Sequence, residues 1–373
     1  MVWLYTQARH LPQGIESHIV CEKTENLAQF GLPHIHPLSE QPRWRQIYDR
    51  GLRKLRVRRH LGFQTLQAKR YQAQVLHSHF GNIGWCDIGV ARQAKLKHIV
   101  TFYGMDVNYL PMQDPHWRQR YRTLFKHVDH VLCEGAHMAQ KVKELGCPAE
   151  KVRVQHLGVE VDKIEYRPRV WHPGIPLRVL IVASFREKKG IPYAIEALAR
   201  IQRFVDIEIT IIGDASNEVR SQAEKQKILT LIARHGLNDK VRLLGYQPYT
   251  ILFEEAYQHH IFLSPSVTAS DGDTEGGAPV SLIDMAASGM PIVSSTHCDI
   301  PEIIQNGISG LLAPERDVDA LADHLLWLTK YPDRWLPMVE AGRRHMEAEY
   351  DAQVQGQRLA GIYRTCASER TNE

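Results

Sequence analysis

Long apolar runs are missing from this 373-residue chain. No stretch approaches the roughly 18 consecutive apolar residues that suggest a membrane-spanning helix. The first residues show no charged stretch leading into an apolar core and a small-residue cleavage site, so a cytoplasmic location is expected rather than export. Cysteine is sparse. Cys21, Cys86, Cys133, Cys147, Cys298 and Cys366 are scattered without metal-ligand spacing, which favours reduced thiols over a zinc module or a disulfide framework. An excess of one charge is lacking too, because the formal net charge of +4 is too small to argue for a nucleic-acid partner. Internal repeats and low-complexity tracts are absent, which leaves a hydrophobic content of 43% and a charged content of 24%, ordinary for a globular protein. That length predicts about two domains, each with its own core.

Strand and helix patterns alternate along the chain, which points to an α/β class with parallel sheets covered on both faces. In the first half, Glu16–Cys21, Val75–His79, His98–Thr101, His130–Cys133 and Val152–Gln155 read as strands. His156–Pro168 has the composition of a linker. The second half opens on the strand Leu177–Ala183 and alternates to about Leu328, and Ala352–Thr365 reads as a last helix. Val2–Leu11 reads as an amphipathic helix where a parallel α/β domain should open on a strand. A central strand left out would leave backbone groups unpaired, so the expectation is that the natural chain starts earlier than Met1.

The most informative segment is Ser264–Ser295, SPSVTASDGDTEGGAPVSLIDMAASGMPIVSS. A strand end, Ile261–Ser264, runs into a polar, glycine-rich loop bearing Asp271, Asp273 and Glu275. Pro279 is placed to open a helix, since its missing N–H costs nothing in the first turn. Gly289 closes that helix, and Pro291–Ser295 restarts a strand. The loop is expected to aim the backbone N–H groups of Gly276, Gly277 and Ala278 at an anion. Glu275 would lie beside this cradle, with Asp284 on the second helical turn. Amides for a diphosphate and carboxylates for hydroxyls suit a sugar nucleotide.

This segment resembles the acidic signature of the family 4 retaining glycosyltransferases. Ala287, Gly289, Pro291, Ile292 and Val293 fit the family's Ala-x-Gly-x-Pro-apolar run. Glu275 and Asp284 leave eight residues between them where the pattern has seven and a second Glu, read as one inserted residue in the Gly276–Gly277–Ala278 loop. The resemblance continues through Val179–Gly190, where Lys189 fits the lysine that meets the leaving diphosphate. Ser184 replaces the family's arginine, and Arg186 is taken to supply that charge from the loop. Pro301-Glu302, Asn306-Gly307 and Gly310-Leu311-Leu312 fit another family stretch. The resemblance implies the GT-B fold: two facing Rossmann-like domains and a C-terminal crossover helix. Residues 1–160 would form the acceptor-side domain, 170–345 the nucleotide-sugar donor domain, and 349–367 the helix crossing back.

Thr101-Phe102-Tyr103-Gly104-Met105-Asp106 ends a strand in the first half, and open parallel sheets bind ligands beyond such ends. It is similar to the family's Thr-x-His-Gly-x-Asp, with Tyr103 in place of histidine, which makes Asp106 a catalytic candidate and Tyr103 and Gly104 acceptor-side ones. The alternative is a strand-end turn with a capping aspartate. His77 and His79 point the same way from a strand, but no third ligand is close in sequence. A substrate-lining role for His79 is therefore preferred to metal binding. Asp271-Gly272-Asp273 imitates the metal-holding Asp-x-Asp of another glycosyltransferase fold, yet the pair is also ordinary turn chemistry. With Lys189 and helix amides to neutralise a diphosphate, no metal cofactor is expected. His297-Cys298-Asp299 is read as loop residues near the nucleotide at most, because adjacent strand residues face opposite ways and would not converge on one atom.

Arg43–Arg59, RWRQIYDRGLRKLRVRR, sets Trp44, Tyr48, Leu52 and Leu55 at helical spacing among cations. It suits an anionic membrane surface, or equally a helix packed on its own sheet with a solvated basic face. The resulting expectation is a retaining glycosyltransferase, similar to the bacterial exopolysaccharide and colanic acid group. It would move a sugar from a nucleoside diphosphate donor to a glycan or lipid-linked acceptor. Glu275 and Lys189 would act on the donor, with Arg186, Ser184, Gly276, Gly277, Ala278 and Asp284 around it. The alternative is a degenerate sugar-nucleotide-binding or scaffold protein of a polysaccharide assembly. A phosphorylase of the same fold would need a pyridoxal phosphate lysine late in the chain, and no such constellation is present.

Overall fold

The computed structural model describes residues 2–28, 30–277 and 279–368. The chain divides into two units, Met1–Glu160 joined by Ala352–Glu373, and Val161–Asp351. In the first unit, β1 (Ile19–Cys21) and β2 (Ile35–Pro37) form a two-stranded parallel sheet. A separate four-stranded parallel sheet carries β3 (Val75–His79), β4 (Lys97–Thr101), β5 (His130–Cys133) and β6 (Val152–Val154) in that spatial order. The expected strand at Glu16–Cys21 is thus shorter and belongs to another sheet. Its partner Ile35–Pro37 went unrecognised because three residues are too few to show a period, and Pro37 brings no N–H to the ladder.

The second unit has one six-stranded sheet built from β7 (Leu177–Val182), β8 (Ile207–Ile212), β9 (Val241–Gly245), β10 (Ile261–Ser264), β11 (Ile292–Ser295) and β12 (Leu311–Ala313). Its order is β12-β11-β10-β7-β8-β9. The named strand pairs are all parallel. The central strands are near-continuous apolar runs, LRVLIV and IEITII, as burial on both faces requires. Val179, Ile181, Ile209, Ile211, Leu263 and Val293 pack with the apolar stripe of the helix Ile191–Ile201, where Ile191, Ala194, Ile195, Leu198 and Ile201 repeat at helical spacing. The chain runs outward from β7 to β8 and β9, then returns to place β10 on β7's other side. The sheet therefore reverses direction between β7 and β10, and the loops leaving those two strands flank a switch point.

The helix Ala352–Ser368 belongs to the first unit. Leu359 and Cys366 are buried with Ile99 of β4 and Leu132 of β5, and Leu11, Ile362 and Tyr363 pack around them. The helix Val2–Arg9, two residues shorter than expected, lies against it. The basic helix ends at Lys54 rather than Arg59. Arg56 takes a left-handed conformation, φ 58°, which a helix of L-residues does not sustain.

A single missing side chain sets how closely the last helix seats. A Cβ on Gly356 would stand 2.0 Å from the His10 carbonyl oxygen, whereas one on Gly361 meets nothing within 4 Å. Gly356→Ala is expected to cost about 1–3 kcal/mol through the forced shift. Gly361→Ala in the same helix should be neutral or stabilise by up to about 1 kcal/mol. Urea unfolding midpoints of the two variants check this, and equal midpoints would refute it.

Candidate functional site

The loops after β7 and β10 meet through a glycine. Gly190 has φ +64°, and a Cβ there would come within 1.8 Å of the Pro265 carbonyl oxygen. Only glycine both takes that conformation and lets the backbones approach so closely. The contact is held by Val267 N–H donating to the Lys188 carbonyl at 2.8 Å and by Ser270 N–H donating to the Glu187 carboxylate at 3.0 Å. Ser294 Oγ, on β11, donates to the Ser264 carbonyl at 2.6 Å and braces the exit of β10.

Across this junction a basic loop faces an acidic one, residue against residue. Lys189 Nζ lies 2.8 Å from Glu275 Oε2. Lys188 Nζ lies 3.1 Å from Asp273 Oδ1 and donates to the Thr274 carbonyl at 2.8 Å. Arg186 lies 3.9 Å from Asp273 and 3.2 Å from Glu218. Arg220 lies 2.8 Å from Asp271, whose other oxygen accepts the Asp273 N–H at 3.0 Å. Asp271 thus combines turn chemistry with an ion pair, and Asp273 has two cations beside it.

Glu275 is the best-held acid. Its side chain is 6% exposed. Burial alone would raise its pKa, but Lys189, then Lys188, then hydrogen bonds from Lys189 and Ser266 outweigh that, and the carboxyl stays below its ordinary range. Ser266 Oγ donates to Oε1 at 2.7 Å. The Glu275 backbone N–H donates to His297 Nε2 at 3.1 Å, and His297 Nδ1 lies 2.5 Å from Glu315. His297 therefore carries its proton on Nδ1. Glu315 also accepts from Thr268 N–H at 2.8 Å.

His297 and Cys298 are loop residues, as expected, in a turn beyond β11 where Cys298 has φ 48°; strand alternation does not keep them apart there, and Cys298 Sγ lies 3.2 Å from His297 Nε2. Ser266, His297 and Glu315 are support for Glu275 that no local motif announces.

The anion cradle differs from the expectation. The helix runs Val280–Ala287, and Pro279, with ψ 130°, stands just before it instead of inside its first turn. The Gly276 backbone hydrogen-bonds the thiol of Cys298, which burial pushes up to about 12. Ala278 lies outside the described residues. Gly289 follows the helix at φ +80°, as a C-terminal glycine does. Asp284 is on the second turn but 3% exposed, and it accepts from Tyr249 Oη at 2.8 Å. Burial, only partly offset by that bond, pushes its carboxyl up to about 7. Tyr249, its hydrogen-bond donor, is 53% exposed. Ser184 is half-buried, and its carbonyl accepts from Arg186 N–H at 2.8 Å.

In the first unit, Asp106 is fully buried. Its carboxylate accepts from the backbone of Gly81 and from Tyr103 N–H, the latter at 2.7 Å. Burial pushes it up to about 7 against those bonds. Its geometry is that of the capping aspartate, tying the start of the helix Gly81–Ala94 to the turn after β4, and no carboxylate surface is left for an acceptor to touch.

Tyr103 is 7% exposed. Its hydroxyl lies 2.9 Å from His79 Nδ1, and the Trp3 ring stands 4.6 Å from its own. Gly104 begins the helical turn that follows. His77 is spanned by Tyr363 Oη and Thr101 Oγ1, each at 2.6 Å. Burial lowers both histidines, His79 to about 4, so both are neutral at pH 7.

Residues 162–345 match the family model described as "Glycosyl transferases group 1", and residues 2–163 match "Glycosyltransferase Family 4". The chain is 36% identical over 299 residues to the amylovoran biosynthesis glycosyltransferase AmsK of Erwinia amylovora, covering 79% of this chain and 70% of that one. It is 33% identical to the putative colanic acid biosynthesis glycosyltransferase WcaL of Escherichia coli, covering 78% and 70%. Among solved structures, Anabaena HepE in complex with UDP superposes with a TM-score of 0.77 at 14% identity, covering 98% of this chain and 95% of that one. A sucrose-phosphate synthase from Thermosynechococcus elongatus gives 0.71 at 20% identity, covering 90% and 82%. These likenesses, with parallel sheets in both units and a switch point flanked by charge-matched loops, establish that the chain is a glycosyltransferase of GT-B fold and belongs to the family 4 glycosyltransferases.

Proposed function

We propose that this enzyme transfers a hexose-type sugar, with retention at the anomeric carbon, from a nucleoside diphosphate sugar to a glycan or lipid-linked acceptor. The process served is exopolysaccharide synthesis, as the names of the amylovoran and colanic acid relatives suggest. The carrying observation is the largely enclosed Lys189–Glu275 pair at the switch point. An ammonium has three N–H donors, and Glu275 takes one. The others, which have no partner among the described residues, can turn toward a diphosphate, where Lys189 offsets charge growing on the leaving group. Arg186 supplies further positive charge. Glu275, kept ionised, accepts from donor-sugar hydroxyls, and Asp284 acts toward the ribose through Tyr249. The departing phosphate takes the acceptor's proton, so no strong protein base is needed. The first unit would hold the acceptor, with Asp106 positioning the turn that carries Tyr103.

Lys189→Ala should abolish transfer and weaken diphosphate binding at least tenfold by calorimetry, with the circular dichroism spectrum unchanged. Unchanged diphosphate affinity would sink the assignment. Retained sugar-nucleotide binding by the wild type, with no transfer to membrane-derived acceptors, would instead identify a degenerate binding protein.

Metal independence is inferred from Asp271 and Asp273 each being matched to cations. UDP or GDP should bind with the same affinity in EDTA as in Mg²⁺ or Mn²⁺. A tenfold gain on adding metal would reverse the inference.

No described helix is long and apolar enough to cross a membrane. We infer a peripheral attachment through the helix Arg43–Lys54 and the residues after it. Trp44, Ile47, Tyr48, Leu55 and Val57 are 62, 71, 55, 74 and 70% exposed among Arg43, Arg45, Lys54 and Arg56. The helix is fastened from the opposite side, where fully buried Asp49 accepts from Arg58 at 2.8 Å and from Phe63 N–H at 2.9 Å. Each cation near an anionic surface contributes about 1 kcal/mol. The protein should sediment with anionic liposomes at low salt and release as salt rises, and Ile47→Gln with Leu55→Gln should weaken sedimentation. Equal binding to neutral and anionic liposomes, or none to either, would overturn this.

A further inference from the structure

The first unit gathers a second set of ligating side chains, far in sequence from the donor loops. Glu16 and His18 precede β1, and His34 and His36 sit at and within β2. The parallel register, Ile19 opposite Ile35 and Val20 opposite His36, brings the two segments side by side. His18 Nε2 lies 3.0 Å from Glu16 Oε1, and His34 Nε2 lies 3.8 Å from the same oxygen. The three ligand atoms all fall within 4.8 Å of one another. A tetrahedral zinc ion with bonds of about 2.0–2.1 Å spaces its ligand atoms about 3.3 Å apart, so small side-chain adjustments would close the set around one ion.

The surroundings are those of a held ligand rather than of chance surface neighbours. His18 Nδ1 lies 3.0 Å from His36 Nε2, so the nitrogen facing away from Glu16 has its own partner, the arrangement that orients metal-bound histidines. Tyr71 stacks on His18 with ring centroids 4.0 Å apart and on His36 at 4.9 Å. His34 keeps a left-handed backbone, φ 58°, while its carbonyl accepts from Ile19 N–H at 3.0 Å. An L-residue in that conformation is uncommon. Glu16 and His34 also line a cavity of about 810 Å³ with Tyr5, Arg9 and Leu11.

We propose that Glu16, His18 and His34 bind a single zinc-class divalent ion, with His36 orienting His18 and a fourth, solvent-exchangeable position open to the cavity. Two imidazoles and one carboxylate leave such a position, whereas sealed structural sites take four protein ligands. The ion would act in the first unit on an oxygen ligand in that cavity, separate from diphosphate binding by the second unit. The site is independent of the donor reading, which rests on other residues.

The test is titration of chelator-stripped full-length protein with Zn²⁺ against a competing chromophoric chelator, with Co²⁺ absorption as a second readout of coordination. The wild type should bind one equivalent and give the intense visible bands of a four-coordinate Co²⁺ site. His36→Gln should weaken Zn²⁺ about 10- to 100-fold as an orienting partner does. His18→Ala, His34→Ala and Glu16→Gln should weaken it more and abolish the bands, while the exposed control His127→Gln leaves both unchanged. Glu16 and His34 side chains are 69 and 47% exposed, so their variants should fold, which circular dichroism verifies. Absence of stoichiometric binding by the wild type, or binding that survives Glu16→Gln and His34→Ala, would overturn the proposal.

Discussion

The charged junction of the second unit depends on one steric permission: at residue 190 there is no Cβ. Because the chain can pass under the Pro265 carbonyl there, the basic loop after β7 reaches the acidic loop after β10, and opposite charges meet in pairs. The innermost pair matters most. Lys189 and Glu275 side chains are 19 and 6% exposed, too enclosed to behave like a surface ion pair worth at most about 1 kcal/mol. Removing one partner of an enclosed pair strands the other, at a cost of about 3–5 kcal/mol for a fully buried one. The same fixed charges hold the two loops together in one arrangement.

Burial and cations compete at each enclosed group, and the outcome differs from group to group. At Glu275 burial is outweighed by cations, and the carboxyl remains ionised. At His77, His79 and Asp106 burial wins: the two histidines stay neutral and Asp106 is raised to about 7, as Asp284 is in the second unit. Hydroxyls and backbone amides, not charges, are their partners.

Much of this was legible in the sequence. The apolar runs of β7, β8 and β10 and the glycine and proline punctuation around Ser264–Ser295 announce parallel strands and their connecting helices, because burial on two faces leaves no other composition. Glu275 could be singled out because a loop between strand and helix is where such sheets bind ligands, and Lys189 through its resemblance to the family's lysine. What stayed hidden is long-range. Nothing near Glu275 in sequence points to Glu315 or to His297 as the acceptor of its backbone N–H. The strand Ile35–Pro37 is too short to show a period, and Asp106 could not be told from a surface acid, because inward and outward aspartates at a turn look alike in sequence.

The division of the chain bears on how it is made. The first unit is assembled from residues 1–160 and 352–373, and the second interrupts it. Ile99 and Leu132 find their cover in Leu359 and Cys366, more than two hundred residues downstream. During synthesis the amino-terminal sheet must therefore wait with one apolar face uncovered, while the interrupting unit has its whole sequence available sooner. The half that leaves the ribosome first is the half completed last, and a nascent chain stalled before residue 352 would hold a complete second unit and a first unit with an apolar face still open.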